Sequence, residues 1–372
     1  MRRASGLTLA SVFMVITHTA AASELLTRPQ AYALAGSDRA QATVAAMKGF
    51  ASAGGTDALV AELKKIALRS DLSAVEKERV AHDGLRYLSN LAPNDAAWDL
   101  LNDLATSIPT TYVEHDEGRG RAVPLYDVGA LARSIKHHWL TEQAKNRALA
   151  RIMAADPAVL HIYDPIRIAT NDEINRSGVQ RSFEEAPVQA LLAYRDDILN
   201  RLGAGQDVEL IAVNMAQRLA DKQMFIALTT HASTGVAVRM LASVTNAVPA
   251  ADAYDILSAA ANRSDIASAA LLAMVPLAGS TPSATDYLFS ELGNPFRGAS
   301  AAAALARIGD TITIRRLGLI VASGKDGTVE RQAMLALRLN NSPAAGDEIR
   351  DFLADPGASA KLRAEVSQWQ AD

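Results

Sequence analysis

Hydrophobic positions in the second half of the chain recur with helical spacing. Ala237, Leu241, Val244 and Val248 fall at i, i+4, i+7 and i+11, one stripe of an α-helix. Ile266, Ala270, Ala273 and Leu277 repeat that arrangement one unit later, and Ala301, Leu305 and Ile308 repeat it again. A shorter stripe follows in most units: Ile256/Leu257, Leu288/Leu292, Leu317/Ile320/Val321 and Ile349/Phe352/Leu353. Pro249, Pro282 and Pro343 stand between the two stripes, where a turn must join the helices because proline cannot continue one.

Polar and turn-forming residues punctuate this pattern in register. Clusters begin at Asn200, His231, Asn262, Gly293, Gly324 and Asp355, each 31 residues after the one before. Glycine supplies a left-handed helix cap, proline stops the helix, and Asn, Asp or Ser begins the next one. The unit is therefore a helix–turn–helix of 31 residues. A single pair cannot bury its own stripe, so neighbours must stack, which predicts an all-α, right-handed α-solenoid over residues 188–372.

The run Ala303-Ala304-Leu305-Ala306-Arg307-Ile308-Gly309-Asp310 resembles the end of the first helix in short HEAT-like repeats of the phycobilisome-lyase type. Leu335-Ala336-Leu337-Arg338-Leu339-Asn340-Asn341 is a decayed version. The resemblance covers about residues 205–372 and implies a HEAT-like fold; most such families are binding scaffolds, and no catalytic residue carries over to a position here. The arginine usual on the first helix is missing from several units, with Arg297, Arg331 and Arg363 nearest its place. Lys361–Trp369 gives one helix without a partner, expected to cap the repeats with Trp369 closing their core.

The first half, residues 23–107, is predicted to be helical without the regular period. Helices are expected at Asp38–Ala51, Thr56–Arg69, Ser73–Leu91 and Asn94–Thr106, with Ser73 and Glu76 spaced as a capping box. Two more are expected near Val128–Trp139 and Leu140–Ala155. The region 108–187 also holds two stretches that do not pattern as helix pairs, Ile108–Asp127 and Asp156–Pro187. Long loops in compact proteins are often functional, and insertions into solenoids tend to line one face.

Candidate binding residues concentrate in those two stretches: Glu114, His115, Asp116, Arg119 and Arg121 in the first, His161, Asp164 and Asp172 in the second. Arg119 and Arg121 between glycines have the geometry to clamp a carboxylate or phosphate, or else to pair with the acids of Glu114–Glu117. Histidines with neighbouring acids suggest a metal, but adjacent residues on a helix point about 100° apart, so His137 and His138 cannot share one ion. No His-Glu-x-x-His, Gly-x-Ser-x-Gly or nucleotide-binding glycine loop occurs, so no catalytic residue and no cofactor is assigned.

Composition sharpens three points. Hydrophobic residues make up 49% of the 372 but aromatics only 5%, the difference being largely alanine, the best helix former. Residues 1–22 pattern as a Sec-type signal peptide: Arg2 and Arg3, an apolar run from Gly6 to Ile16, then Ala20-Ala21-Ala22 before Ser23. Cysteine is absent, which removes disulfides, lipoprotein attachment and thiolate metal sites. The formal net charge is −4, and loss of residues 1–22 would make it more negative, which is unlike a nucleic-acid binder. The chain is thus expected to be a periplasmic or secreted scaffold with a protein partner, no nucleic acid, and no stable membrane span after signal cleavage. The competing reading is a helical hydrolase or metal-dependent enzyme with its site in residues 108–127 and 156–187. A lipid or cargo carrier is disfavoured by the scarcity of large apolar residues.

Overall fold

A computed structural model describes residues 27–115, 122–164, 172–323 and 327–369. The expected signal peptide, together with Asp116, Arg119 and Arg121, lies outside the described residues. The protein is all-helical apart from two three-residue strands, with twenty α-helices among the described residues. It divides into two compact units between Leu140 and Thr141.

The first unit holds α1 (Arg28–Ala35), α2 (Asp38–Ser52), α3 (Thr56–Ile66), α4 (Ala74–Leu88), α5 (Asp95–Leu104) and strands β1 (Tyr112–Glu114) and β2 (Ala122–Pro124). The first half of α6 (Val128–Met153) completes it. The four helices expected from the apolar pattern are present as α2 to α5. Their starts were legible because the caps are local: Ser73 accepts from the Glu76 amide while Glu76 answers at the Ser73 amide, and Asn94 accepts from Ala97. Met47, Leu59, Val80, Leu85, Leu88 and Leu101 form the centre of this core, with Trp98 edge-on to Trp139. Helix α1 escaped notice because it is short and buries only Ala31 and Ala35.

Two expectations are corrected. The helices foreseen on either side of Trp139 and Leu140 are one continuous helix, α6, because no glycine or proline interrupts it between Gly129 and Pro157. It ends in a Schellman arrangement, with Ala155 left-handed at φ 52° and the Asp156 amide reaching back to the Arg151 carbonyl at 3.0 Å. The stretches read as loops are also partly ordered into regular structure. The first contains the antiparallel pair β1–β2, with Val113 opposite Val123. The second contains a 3-10 turn, Pro157–Tyr163, and α7 (Asp172–Glu185). Helix α7 is so polar that it lacks the apolar stripe by which helices are recognised.

The second unit continues with α8 (Val188–Leu191), α9 (Arg195–Gly203), α10 (Glu209–Leu219), α11 (Lys222–His231), α12 (Thr234–Ala247) and α13 (Ala250–Ala260). It goes on through α14 (Ala267–Ala273), α15 (Pro282–Glu291), α16 (Gly298–Ile308), α17 (Thr311–Ser323), α18 (Gly327–Asn340), α19 (Pro343–Ala354) and α20 (Ala360–Trp369). Successive helices touch, and so do alternate ones. Helices α10, α12, α14, α16 and α18 each pack on the next of that set, while α11 packs on α13 and α17 on α19. One continuous core runs from Ala148 and Ile152 of α6 to Val366 of α20. Phe225, Leu241, Leu257, Leu288, Leu305 and Leu337 are buried in it, each worth about 2 kcal/mol of transfer free energy.

The punctuation marks coincide with the ends of alternate helices. Asn200 lies in the last turn of α9, His231 ends α11, Asn262 follows α13, Gly293 follows α15 and Asp355 follows α19. Gly324 lies outside the described residues.

Two of these ends, and the ends of α7 and α16, are closed by a side chain from later in the chain. Arg218 donates to the carbonyls of Phe183 and Ala186 at the end of α7, at 2.7 and 2.6 Å. Arg263 donates to Thr229 and Ala232 at the end of α11, and Arg297 to Ala261 after α13. Asn340 does the same for Ala306 of α16 at 2.8 Å. The last carbonyls of a helix have no partner within it and carry its negative dipole end, so a guanidinium is well matched to them.

Candidate functional site

Each of the two stretches singled out in the sequence lines a cavity, one in each unit. In the first unit, Ser107, Ile108, Pro109, Thr110 and Tyr126 cover a cavity of about 270 Å³ beside α3 and α4. Glu78 of α4 holds this cover in place, accepting from both the backbone amide and the hydroxyl of Thr110, the latter at 2.8 Å. Leu63, Ile66, Ala81 and Leu104 make the cavity wall apolar. Burial pushes the Tyr126 phenol above its ordinary value.

In the second unit a cavity of about 250 Å³ lies between the second half of α6, the 3-10 turn and α7. Helix α6 presents Ala144, Arg147, Ala148 and Arg151, spaced as one helical face; the turn adds Ala158, Val159 and Ile162, and α7 adds Asn175 and Val179. The close approach of α7 to α6 requires Gly178. A Cβ there would stand 2.5 Å from the Ala144 Cβ and 2.8 Å from the Lys145 nitrogen.

Ion pairs lock the same two helices. Lys145, buried against α7, donates to Glu142 at 2.8 Å and Glu185 at 2.9 Å, while Arg181 reaches Glu142 at 2.5 Å. The hydrogen bond from Lys145, with Arg181 beside it, holds the Glu142 carboxyl below the usual range, and Glu142 followed by Glu185 raises the Lys145 ammonium. At the other end of the turn, the buried Tyr163 ring lies under the Arg176 guanidinium, 5.6 Å from its centroid. Tyr194 donates to the Asp156 carbonyl at 3.1 Å, fixing the junction of α6 and the turn.

The residues proposed from sequence fall largely beside these cavities rather than in them. Glu114 is exposed at the end of β1, and His115 follows it half-buried. His161 is exposed on the 3-10 turn, next to the lining residue Ile162. Asp164 is bound by Arg201 at 2.8 Å, a guanidinium that also contacts the Leu160 carbonyl, Gln206 and Asp197. That makes Asp164 a strut between the turn and α9. Asp172 begins α7. Among the described residues no group of three or more His, Cys, Asp or Glu is placed to hold a metal ion.

Sequence reasoning missed Arg147, Arg151 and Asn175. A helical-wheel projection of α6 would have put both arginines on the face of Ala144 and Ala148, but nothing local marks α7 as their neighbour. Among the described residues no helix is long and apolar enough to cross a membrane. No family model, curated protein or solved structure matches the chain.

Proposed function

We propose that the chain is an exported, HEAT-like α-solenoid that acts as a scaffold for a protein partner. The observation that carries this reading is the coincidence of the 31-residue register with the ends of alternate helices, together with the packing of each helix on its next-but-one neighbour. Stacked pairs of that kind bury stripes no pair could bury alone, and in a right-handed solenoid they generate an extended concave surface suited to a polypeptide.

Exposed apolar side chains on the repeats, Ile312 and Leu319 on one face of α17, are suitable contact points. Export is supported by the pattern of residues 1–22, and it directs the protein to the periplasm or beyond.

The test uses the tagged full-length chain in its source cell. N-terminal sequencing of the exported fraction should begin at Ser23, and cross-linking should capture a reproducible partner that is lost on Ile312→Glu with Leu319→Glu. Retention of residues 1–22 in the cytosol would sink the export reading. A chain that captures no partner but purifies with a bound metal would sink the scaffold reading.

A further inference from the structure

We infer that the cavity between α6, the 3-10 turn and α7 binds a small organic carboxylate, through Arg147 and Asn175 at its mouth and an apolar floor beneath. This inference does not depend on the repeat units acting as a scaffold.

The charge balance comes first. Among the described residues the lining holds two cations, Arg147 and Arg151, and no acid. Arg151 Nε lies 3.8 Å from Asp156 Oδ2, and Asp156 already spends Oδ1 on the Ala158 amide at 2.9 Å. Among the described residues the Arg147 guanidinium and the Asn175 amide have no hydrogen-bond partner. That sets Arg147 apart from the other arginines of this region, since Arg176, Arg181, Arg195 and Arg201 are all paired with acids. A planar guanidinium presents two parallel donors, the geometry that matches a carboxylate, and an amide offers a third donor from the opposite wall.

The floor supplies the second requirement. Ala144, Ala148, Val159 and Val179 are buried, and Ile162 is half-buried, so the part of the cavity away from the arginines accepts hydrocarbon. At about 250 Å³ it is smaller than a site for a drug-sized molecule, which limits the ligand to roughly four to eight carbons. The walls are preorganised: the network of Lys145, Glu142, Glu185 and Arg181 holds α7 on α6, so closing the helices costs nothing at the moment of binding.

A monocarboxylate of that size and the carboxylate of a C-terminal leucine present the same chemistry, and the test separates them. Hexanoate is titrated calorimetrically into the full chain, with hexanamide as the uncharged control. Hexanoate should bind with Kd on the order of 1 mM, as its few atoms permit, and hexanamide should bind at least about tenfold more weakly.

Arg147→Gln, at an exposed position where folding is not at risk, should weaken hexanoate about tenfold, with Arg147→Lys recovering part of the loss. Val179→Thr, which keeps the shape of the floor, should weaken hexanoate while leaving acetate unchanged. A peptide ending in a free leucine that binds more tightly than hexanoate, and loses that advantage on amidation, assigns the site to a polypeptide C-terminus. Equal or weaker peptide binding assigns it to a free carboxylate. Equal binding of hexanoate and hexanamide, no binding at about 10 mM, or an unchanged affinity in Arg147→Gln would overturn the inference.

Discussion

Arg263 Nη1 donates to the carbonyl of Ala232, 31 residues earlier in the chain, at 2.7 Å. The separation equals the 31-residue spacing of the turn clusters, so a side chain just after α13 closes the end of α11. Because the same nitrogen also reaches the Thr229 carbonyl, truncation leaves two helix-end carbonyls without this donor. Arg263→Ala should therefore destabilise the second unit by about 2 kcal/mol. The measurement is a urea unfolding curve, in which the midpoint falls while the slope stays constant.

Asp265 completes that joint. It accepts from Arg263 Nε and Nη2, both at 2.8 Å, and from the Thr234 hydroxyl, and these bonds, Arg263 first, hold its carboxyl at about 2. The folded value lies below the unfolded one of about 3.9, so the stability it contributes is complete above that pH and is lost as pH falls toward 2. The difference in stability between the wild-type chain and Asp265→Asn should be constant from pH 7 to about pH 5 and shrink as the pH is lowered further. A difference independent of pH down to 2 would contradict the assignment.

Two buried glycines should respond differently to alanine. At Gly178 the new methyl meets backbone and Cβ atoms of α6, which cannot move without parting the helices. At Gly84 it meets the Leu63 Cδ2 at 2.6 Å and the Met47 sulfur at 2.7 Å, both ends of flexible side chains. Gly178→Ala should cost about 2–3 kcal/mol, and Gly84→Ala about 1 kcal/mol or less. Parallel denaturation curves give the ordering, which carries more weight than either value.

Ala220 adopts a left-handed conformation at φ 50° after α10, with the Asp221 amide bonded to the Ala216 carbonyl at 3.0 Å. An L side chain there costs about 1 kcal/mol, which glycine avoids. Ala220→Gly should raise stability by about 0.5–1 kcal/mol, a rise of a few degrees in the thermal midpoint for a unit of this size. Scanning calorimetry reads it directly, and a lower midpoint would show that the cap is not the limiting strain.

Most helices were legible because what makes them is local. Ser73 and Glu76 cap α4 within one turn, and the stripe Ala237, Leu241 and Val244 is buried on α12 as its spacing requires. The failures share a cause as well. Helix α7 carries too few apolar residues to show a period, and α6 was divided at a place where no residue breaks a helix. Asp164 was legible as a charged loop residue, but its partner Arg201 stands 37 residues further on in α9, beyond the reach of any local rule.

The residue pattern by itself determined that the chain is helical, where most of its helices after residue 187 end, and which faces are apolar, because caps, proline and 3.6-residue spacing act over a few residues. Only the tertiary structure decided which arginine closes which helix end, and that α6, the 3-10 turn and α7 enclose a cavity at whose mouth Arg147 has no hydrogen-bond partner among the described residues. Those outcomes depend on how closely separate helices approach. At Gly178 that distance is set by one missing methyl group, whose consequence appears only once α6 lies against it.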